Sequence, residues 1–214
     1  MIRIVGDVHA LLGMFNELAN RTPEDHEIVQ VGDFGVWPTI LSTHLKRVEF
    51  DQEDGLERRA YFIDGNHEHF PTLWGAGRYQ IHEVIPNLIY IPRGEVMELD
   101  GRNVLFLGGG ESPDMQWRTE GVNWFREETI TYQDVNRIEA VMGEVDIMIT
   151  HVPPYEIGYH IFGGDSPTEW NYSSKLVQAV WENLGQPDLY CGHFHMSKQI
   201  GNVRILNELE YVDI

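Results

Sequence analysis

The chain has 214 residues, of which 42% are hydrophobic, so a folded domain with a sizeable core is expected and a disordered protein is not. The formal net charge is −19 and the 15 Lys and Arg residues are scattered, which argues against a basic surface that grips long nucleic acid. We expect neither a membrane span, because no apolar run reaches about 18 residues, nor a secretory leader. The single cysteine, Cys191, excludes an internal disulfide and fits a cytoplasmic location.

The first third of the chain alternates short apolar runs with segments of helical spacing. Three runs rich in β-branched residues predict buried strands, at Ile2–Val5, Ile28–Val31 and Tyr61–Ile63. Helices are predicted between them at Ala10–Asn20 and Thr39–Asp51. This alternation is typical of βαβ units and predicts a largely parallel first sheet.

Further along the chain, strands lie closer together in sequence. Asp100-Gly101 between two of them predicts a tight hairpin turn. We find no repeat or linker and predict a single domain over residues 1–214. Two long irregular segments, 109–128 and 153–172, are candidates for loops that cover the substrate, the alternative being simple surface excursions. The other predicted elements are strands at 87–92, 96–99, 103–107, 146–150 and 188–191, helices at 131–142 and 173–184, and one or two strands within 203–214.

Five short segments that end predicted strands carry residues able to bind metal ions. The carboxyl ends of strands are where open α/β sheets gather ligands. Each segment alone is typical of a turn or a packed pair, but five in order after apolar strands indicate a site. The candidate ligands are Asp7, His9, Asp33, Asn66, His151, His193 and His195.

The number and type of these residues suit two transition-metal ions. Seven ligands exceed the needs of one catalytic ion but suffice for two if a carboxylate bridges them, and Asp33 is the natural bridge. In Asp7-x-His9 and His193-x-His195, an extended backbone would send both side chains to one face. Mn²⁺ is the expected metal, with Fe, Zn or Ni as alternatives.

The ordered series Asp7-x-His9, Gly32-Asp33, Gly65-Asn66-His67-Glu68, His151 and Gly192-His193-x-His195 resembles the calcineurin-like metallophosphoesterase superfamily over nearly the whole chain. The resemblance implies an α/β fold, a four-layer α/β/β/α sandwich with two mixed β-sheets, and a phosphoesterase that attacks phosphorus with a metal-bridging hydroxide. It also implies that His67 stands beside the metals without binding them, where its ordinary pKa suits a general acid. The ligand sets implied are Asp7, His9, Asp33 and His195 for one ion, and Asp33, Asn66, His151 and His193 for the other.

One part of the family pattern is missing. Many members, notably protein phosphatases, continue Gly-Asp as Gly-Asp-x-x-Asp-Arg-Gly, whereas Gly32-Asp33 continues as Phe-Gly-Val-Trp-Pro. The Asp that orients the catalytic His and the Arg that contacts phosphate are therefore absent from this segment. The orienting partner of His67 stays open between Asp64 and Glu68.

A Trp-rich segment supplies candidates for substrate binding. Arg118 would hold a phosphate oxygen, and Trp117 or Trp124 would stack on a base. The alternative is that the tryptophans anchor this loop and that Arg118 pairs with an acidic residue.

The expected function is hydrolysis of small phosphomonoesters or phosphodiesters, with a nucleotide or cyclic nucleotide as substrate. A nuclease of the same superfamily is one alternative, against which the acidic balance counts. A non-catalytic scaffold with this fold is the other, against which the retention of His67 and of every ligand counts. A small phosphoester is the expected partner, with neither a membrane nor long nucleic acid, and the sequence does not predict an oligomeric state.

Overall fold

The computed structural model describes residues 1–39, 48, 58–140, 143–163 and 172–214. The helix predicted at Thr39–Asp51 lies almost wholly outside these residues. The described strands are β1 Ile2–Val5, β2 Glu27–Gln30, β3 Ala60–Phe62, β4 His82–Ile85, β5 Leu88–Tyr90, β6 Glu95–Leu99, β7 Arg102–Leu107, β8 Ile147–Thr150, β9 Asp188–Cys191, β10 Lys198–Ile200, β11 Val203–Ile205 and β12 Tyr211–Asp213. The described helices are α1 Leu12–Arg21, α2 Phe70–Leu73, α3 Tyr132–Ala140, α4 Tyr155–Phe162 and α5 Tyr172–Asn183, and short 3-10 turns lie at Met115–Trp117 and Arg126–Glu128.

The strands form two mixed sheets of six strands each. The first has the order β12-β1-β2-β3-β5-β4, in which β1, β2, β3 and β5 are parallel and both edge strands are antiparallel. The second has the order β10-β11-β9-β8-β7-β6, again with a parallel centre and antiparallel edges. The predictions of mixed sheets and of a largely parallel first sheet are confirmed.

Alternation along the strands separates three layers of buried side chains. Ile4 and Val29 of the first sheet meet Phe106 and Ile149 of the second in a core between the sheets. Two further cores lie on the outer faces, where α1 and α2 cover the first sheet and α3, α4 and α5 cover the second. These layers confirm the α/β/β/α sandwich. Truncating the fully buried Phe106 to alanine would cost about 3–5 kcal/mol of stability, because the removed ring would leave a cavity between the two sheets.

The hairpin between β6 and β7 follows the predicted turn. Leu99 pairs with Arg102, and the two residues between them adopt left-handed backbone, with φ 47° at Asp100 and 73° at Gly101. Asp and Gly tolerate this conformation, which is why the dipeptide closes a two-residue turn.

Other sequence predictions need correction. The segment 153–172 is not irregular throughout, because α4 occupies residues 155–162 directly after Pro153-Pro154, whereas residues 164–171 lie outside the described residues. Two edge strands, β4 and β10, and the short helix α2 are also absent from the predicted elements. Edge strands face water with charged residues and therefore lack the apolar signal that identifies central strands. Within the described ranges, no helix is long and apolar enough to cross a lipid bilayer.

Candidate metal centre

The seven candidate ligands lie just beyond the carboxyl ends of central strands in both sheets. Asp7 and His9 follow β1, Asp33 follows β2 and Asn66 follows β3. In the second sheet, His151 follows β8, and His193 and His195 follow β9. Because the two sheets pack face to face with these ends at the same edge, the side chains converge between them.

One group of ligand atoms forms around Asp7. The ligand atoms of Asp7, His9, Asp33 and His195 all lie within 4.8 Å of one another. Nε2 of His9 lies 2.8 Å from Nε2 of His195 and 3.6 Å from Oδ2 of Asp33, and Nε2 of His195 lies 3.3 Å from Oδ2 of Asp7. These are the residues that the resemblance implies for one ion.

A second group forms around the amide oxygen of Asn66. Oδ1 of Asn66 lies 3.1 Å from Nε2 of His151 and 3.0 Å from Nδ1 of His193. Oδ2 of Asp33 lies 3.3 Å from Nε2 of His151 and also approaches His9 of the first group. Asp33 therefore stands between the two groups, as expected of a bridging carboxylate.

Local chemistry tests whether these residues fit metal ions. Donor atoms that bind one ion at about 2.0–2.2 Å lie roughly 3 Å from one another, and the nitrogens and oxygens here have that spacing. Oδ1 of Asp7 is buried without a hydrogen-bond partner among the described residues, a costly state that a cation would relieve. The Nδ1–H of His151 donates to the backbone oxygen of Val31 at 3.0 Å, which fixes the ring with Nε2 toward the site, where it would bind an ion after losing its proton. The residues fit divalent ions.

Left-handed backbone, rather than strand pleating, aims several of these side chains. The φ angles of His9, Asp33, His193 and His195 are 45°, 55°, 66° and 47°. The expectation that extended backbone sends both side chains of a pair to one face is therefore wrong for His193 and His195, which join different groups. Asp7 and His9 do join one group, although the backbone of His9 is left-handed. Residues other than glycine rarely adopt such angles, and sites are where that strain concentrates.

Glycines leave the space that the carboxylates need. A Cβ atom added at Gly192 would overlap Oδ1 of Asp7, and one added at Gly65 would overlap Oδ1 of Asp33. Substitution of either glycine would displace a candidate ligand.

The electrostatics of the site favour bound cations. Burial alone would raise the pKa of Asp33, but the charge and hydrogen bond of His151 outweigh it and lower that pKa well below its usual value. Burial would also raise the pKa of Asp7, but hydrogen bonds from His195 and His9 outweigh it and hold that pKa low. Both carboxylates are therefore ionised at neutral pH. Burial lowers the pKa of His193 to about 3, so its Nδ1 is available as a neutral ligand.

His67 lies beside the two groups, and its ring contacts an arginine. Its backbone N–H donates to Oδ1 of Asp33 at 2.7 Å, and its ring lies edge-on to the His9 ring, with centroids 5.0 Å apart. Nη2 of Arg118 lies 3.4 Å from Nδ1 and 3.3 Å from Nε2 of His67. Burial lowers the pKa of the imidazole.

Both sequence candidates for the orienting partner of His67 have other roles. Asp64 accepts hydrogen bonds from Tyr90 and Arg93. Glu68 is fully buried and accepts the backbone N–H groups of Phe34, Gly35 and Val36. Burial raises the pKa of Glu68 to about 7. Glu68 thus stabilises the turn that follows Asp33. The motif Gly-Asn-His-Glu does not indicate this role, because the turn lies more than 30 residues earlier in the sequence.

The segment 109–128 is anchored through buried carboxylates. Glu128 accepts hydrogen bonds from the Ser112 backbone N–H, the Ser112 hydroxyl and the Trp124 indole N–H, at 2.6, 2.8 and 2.8 Å. Burial raises the pKa of Glu128 to about 7. Trp124 therefore ties the segment down, whereas Trp117 is 82% exposed. Arg118 pairs with Asp114 at 2.7 Å, so the acidic-partner alternative holds alongside the contact with His67.

Two further residues touch ligands and lie outside every sequence motif. The Ser112 hydroxyl accepts a hydrogen bond from Nδ2 of Asn66 at 3.2 Å and donates to Glu128. Oε1 of Glu208 lies 3.4 Å from Nδ1 of His195, the ring nitrogen that faces away from the other ligands. Only tertiary packing brings these side chains to the site, so no local sequence signal marks them.

Comparison with models of known protein families gives a match over most of the chain. A family model described as calcineurin-like phosphoesterase matches residues 1–197 of the 214-residue chain. This range includes all seven candidate ligands and His67. No match to a curated protein was found.

Proposed function

The chain belongs to the calcineurin-like phosphoesterase family, and from that membership we propose that it hydrolyses small phosphate esters with two divalent metal ions. The observation that carries the proposal is the convergence of Asp7, His9, Asp33 and His195 within 4.8 Å, with Asn66, His151 and His193 beside them. We propose phosphomonoesters or phosphodiesters as substrates, with a nucleotide or cyclic nucleotide foremost.

The ligand residues create a place for positive charge. Divalent ions bound there would act as Lewis acids, acidify water and neutralise charge on a phosphoryl group. Asp33 is the proposed bridging ligand, since its carboxylate stands between the two groups. Mn²⁺ is the proposed metal, with Fe, Zn or Ni as alternatives suited to the same mixed oxygen and nitrogen donors.

His67 is the proposed general acid for the leaving oxygen. It lies beside the ligands, its backbone is fixed by Asp33, and its ring is half-buried at the edge of the site. A proton from the ring would let an alkoxide depart as an alcohol, a contribution of about 10²–10⁴-fold in rate.

Arg118 is the proposed phosphate-binding residue. The turn after Asp33 lacks the Arg of the family pattern, and Arg118 enters from a different segment to lie against His67. Its Nε is occupied by Asp114 and its Nη1 donates to the backbone oxygen of Asn123 at 3.3 Å, so Nη2 is the group proposed to meet a phosphate oxygen. Trp124 is proposed to support phosphate binding indirectly. Its indole N–H donates to Glu128 and so anchors the segment that carries Arg118.

The substrate is proposed to be small because the chain carries a net charge of −19. Such a charge repels a polyanion at long range, whereas a single phosphate group is drawn to the metal ions. The segments 109–128 and 153–172 are proposed to cover the substrate, and Arg118 supports this role for the first. A single domain and a cytoplasmic location remain predictions from the sequence.

The test is a substrate panel with the Mn²⁺-loaded protein. It contains nitrophenyl phosphate mono- and diesters, 2′,3′- and 3′,5′-cyclic nucleotides, dinucleoside polyphosphates and single-stranded DNA, with Asp33→Ala as the control for contaminating enzymes. We expect turnover of a small ester by the wild-type protein alone. Preferential cleavage of DNA would assign a nuclease, and no turnover of any substrate by fully loaded protein would assign a non-catalytic scaffold.

A further inference from the structure

The side-chain amide of Asn66 has two different ends, and only its oxygen can bind a cation. Oδ1 faces His151 and His193, whereas Nδ2 points away and donates to the Ser112 hydroxyl. Rotating the amide by half a turn would present N–H groups to the ion and remove one ligand. Because the two ends have nearly the same shape, packing alone does not select between them.

We propose that Ser112 and Glu128 select the orientation of the Asn66 amide and thereby set the affinity for one of the two metal ions. They are positioning residues, because neither is among the candidate ligands. This inference rests on the proposed function, since it assumes that an ion binds between Asn66, His151 and His193.

Glu128, Ser112 and Asn66 form a relay of hydrogen bonds. When Glu128 is ionised, the donors and acceptors along this relay can be assigned in only one way. A carboxylate only accepts hydrogen bonds, and a serine hydroxyl has a single proton to donate. Oε2 of Glu128 lies 2.8 Å from the Ser112 hydroxyl and takes that proton. The hydroxyl oxygen then has only lone pairs left for Asn66, so the amide must turn its NH₂ group toward Ser112.

Burial shields the hydrogen bonds of this relay from water, and neighbouring donors hold the Glu128 carboxylate in place. Asn66, Ser112 and Glu128 are 4%, 0% and 1% exposed, so bulk water does not compete for these hydrogen bonds. Oε1 of Glu128 is occupied by the Ser112 backbone N–H and by the Trp124 indole, which fixes the plane of the carboxylate.

The buried side chain of Arg93 links the segment that carries Glu128 to the segment that carries Asn66. Nη2 of Arg93 donates to the backbone oxygens of Glu127 and Glu128 at 2.8 and 3.0 Å. Its Nε donates to Asp64, two residues before Asn66, at 2.9 Å. The metal ligand and the carboxylate that orients it are therefore fastened to one side chain.

The first experiment compares Ser112→Ala with a matched control, Ser173→Ala. Ser173 is also fully buried and donates its hydroxyl to a buried glutamate, Glu111, at 2.7 Å, but no hydrogen bond joins it to a candidate ligand among the described residues. Mn²⁺ is titrated calorimetrically into metal-free protein at pH 8. For Ser112→Ala we expect one of the two affinities to fall by about 10- to 100-fold with the other unchanged. For Ser173→Ala we expect both affinities to match wild type, with a comparable loss of thermal stability.

Two further variants test the direction of the relay. Glu128→Gln keeps the shape of the side chain, but its NH₂ group would donate to Ser112, free the hydroxyl proton for Asn66 and turn the amide over. We expect it to weaken the same ion as Ser112→Ala does. Asn66→Asp presents an oxygen in either orientation, so adding Ser112→Ala to it should leave the affinity unchanged.

The outcomes separate this inference from the proposed function. Two bound ions with wild-type affinities in Ser112→Ala would overturn the relay alone. If Ser112→Ala costs as much affinity when added to Asn66→Asp as when added to wild type, the relay is also overturned, because the effect would not depend on amide orientation. A wild-type protein that binds fewer than two ions would overturn the proposed function together with the inference.

Discussion

The guanidinium of Arg118 lies over the face of the His67 imidazole. Its Nη2 is 3.4 Å from one ring nitrogen and 3.3 Å from the other, and an atom so placed within the ring plane would overlap the carbon between them. The contact is therefore a stack rather than a hydrogen bond. Such a stack leaves the in-plane lone pair and N–H of the imidazole unobstructed by Arg118.

Arg118→Ala is expected to lower kcat/KM for a small phosphoester by about 100-fold, because a charged donor to the phosphoryl group is lost. Both metal ions should remain, since the contacts of Arg118 are with His67 and Asp114 rather than with a candidate ligand. Arg118→Lys should restore little, because lysine lacks the planar fork. The control is Arg126→Ala, an exposed arginine of the same segment that pairs with Glu120. Steady-state kinetics with metal analysis decides, and equal losses in the two alanine variants would remove Arg118 from the site.

His67→Ala is expected to keep both ions and to lose far more activity on alkyl or nucleotide esters than on nitrophenyl esters. An alkoxide needs a proton to leave, whereas nitrophenolate leaves unaided, so a missing general acid costs about 10²–10⁴-fold only with the first class. The comparison is kcat/KM for both classes on samples of known metal content.

His69→Gln serves as the control for His67→Ala. The His69 ring caps α2 through Thr72 and packs on Trp37, so this change should alter stability without any dependence on the leaving group. Equal losses on both ester classes in His67→Ala would indicate that His67 positions phosphate, and loss of an ion would make it a ligand.

Asp33→Ala is expected to lose both metal ions, because its carboxylate stands between the two ligand groups. Asp7→Ala should lose only one, since Asp7 belongs to a single group. Metal content is measured on protein whose circular dichroism shows it to be folded. Retention of two tightly bound ions by folded Asp33→Ala would refute the bridging assignment.

Asp213→Asn is expected to reduce stability near neutral pH by about 1 kcal/mol, the scale of a well-formed, partly exposed ion pair. Arg3 meets both oxygens of Asp213, at 2.7 and 2.8 Å, and this hydrogen bonding lowers the pKa of Asp213 below its usual 3.8. The stabilisation is therefore present above pH 3.8 and is lost as the pH falls through the folded-state pKa.

Urea unfolding of the metal-free protein at several pH values measures this effect. The difference between wild type and Asp213→Asn should shrink below about pH 4. Glu17→Gln, which breaks an exposed pair with Arg21, should show no measurable difference at any pH. A wild-type advantage that persists unchanged into acid would contradict the assignment.

Central strands and strand-end motifs were predictable because burial and close packing restrict the residue types at neighbouring positions in the sequence. The run 147–149 in β8 is apolar on both faces, because Ile147 and Ile149 face the core between the sheets and Met148 faces the outer core. Such a pattern is typical of the parallel centre of a sheet that is covered on both sides. Gly65 and Gly192 precede ligands because a side chain there would collide with a carboxylate. These constraints act within a few residues and can therefore be read from the sequence.

Residues whose role depends on distant partners were not predictable. Glu208 reaches His195, and Ser112 joins Asn66 to Glu128, only after the sheets have packed. The sequence also offered Asp64 and Glu68 as partners of His67, and the structure commits both elsewhere. A carboxylate close to a histidine in sequence does not predict a contact between the two side chains, because the local turns orient them in different directions.

The pairing of the last strand with the first bears on how fast the protein folds. Arg3 of β1 lies opposite Asp213 of β12, and the turn before β12 holds the first metal-binding loop through the backbone hydrogen bond from Leu209 to Asp7. Contacts between residues so distant in sequence form late and slowly during folding, because forming them costs the conformational entropy of the long intervening chain. Ions that need Asp7 and His195 together would bind the finished fold in preference to its precursors, so raising their concentration should slow unfolding more than it speeds folding.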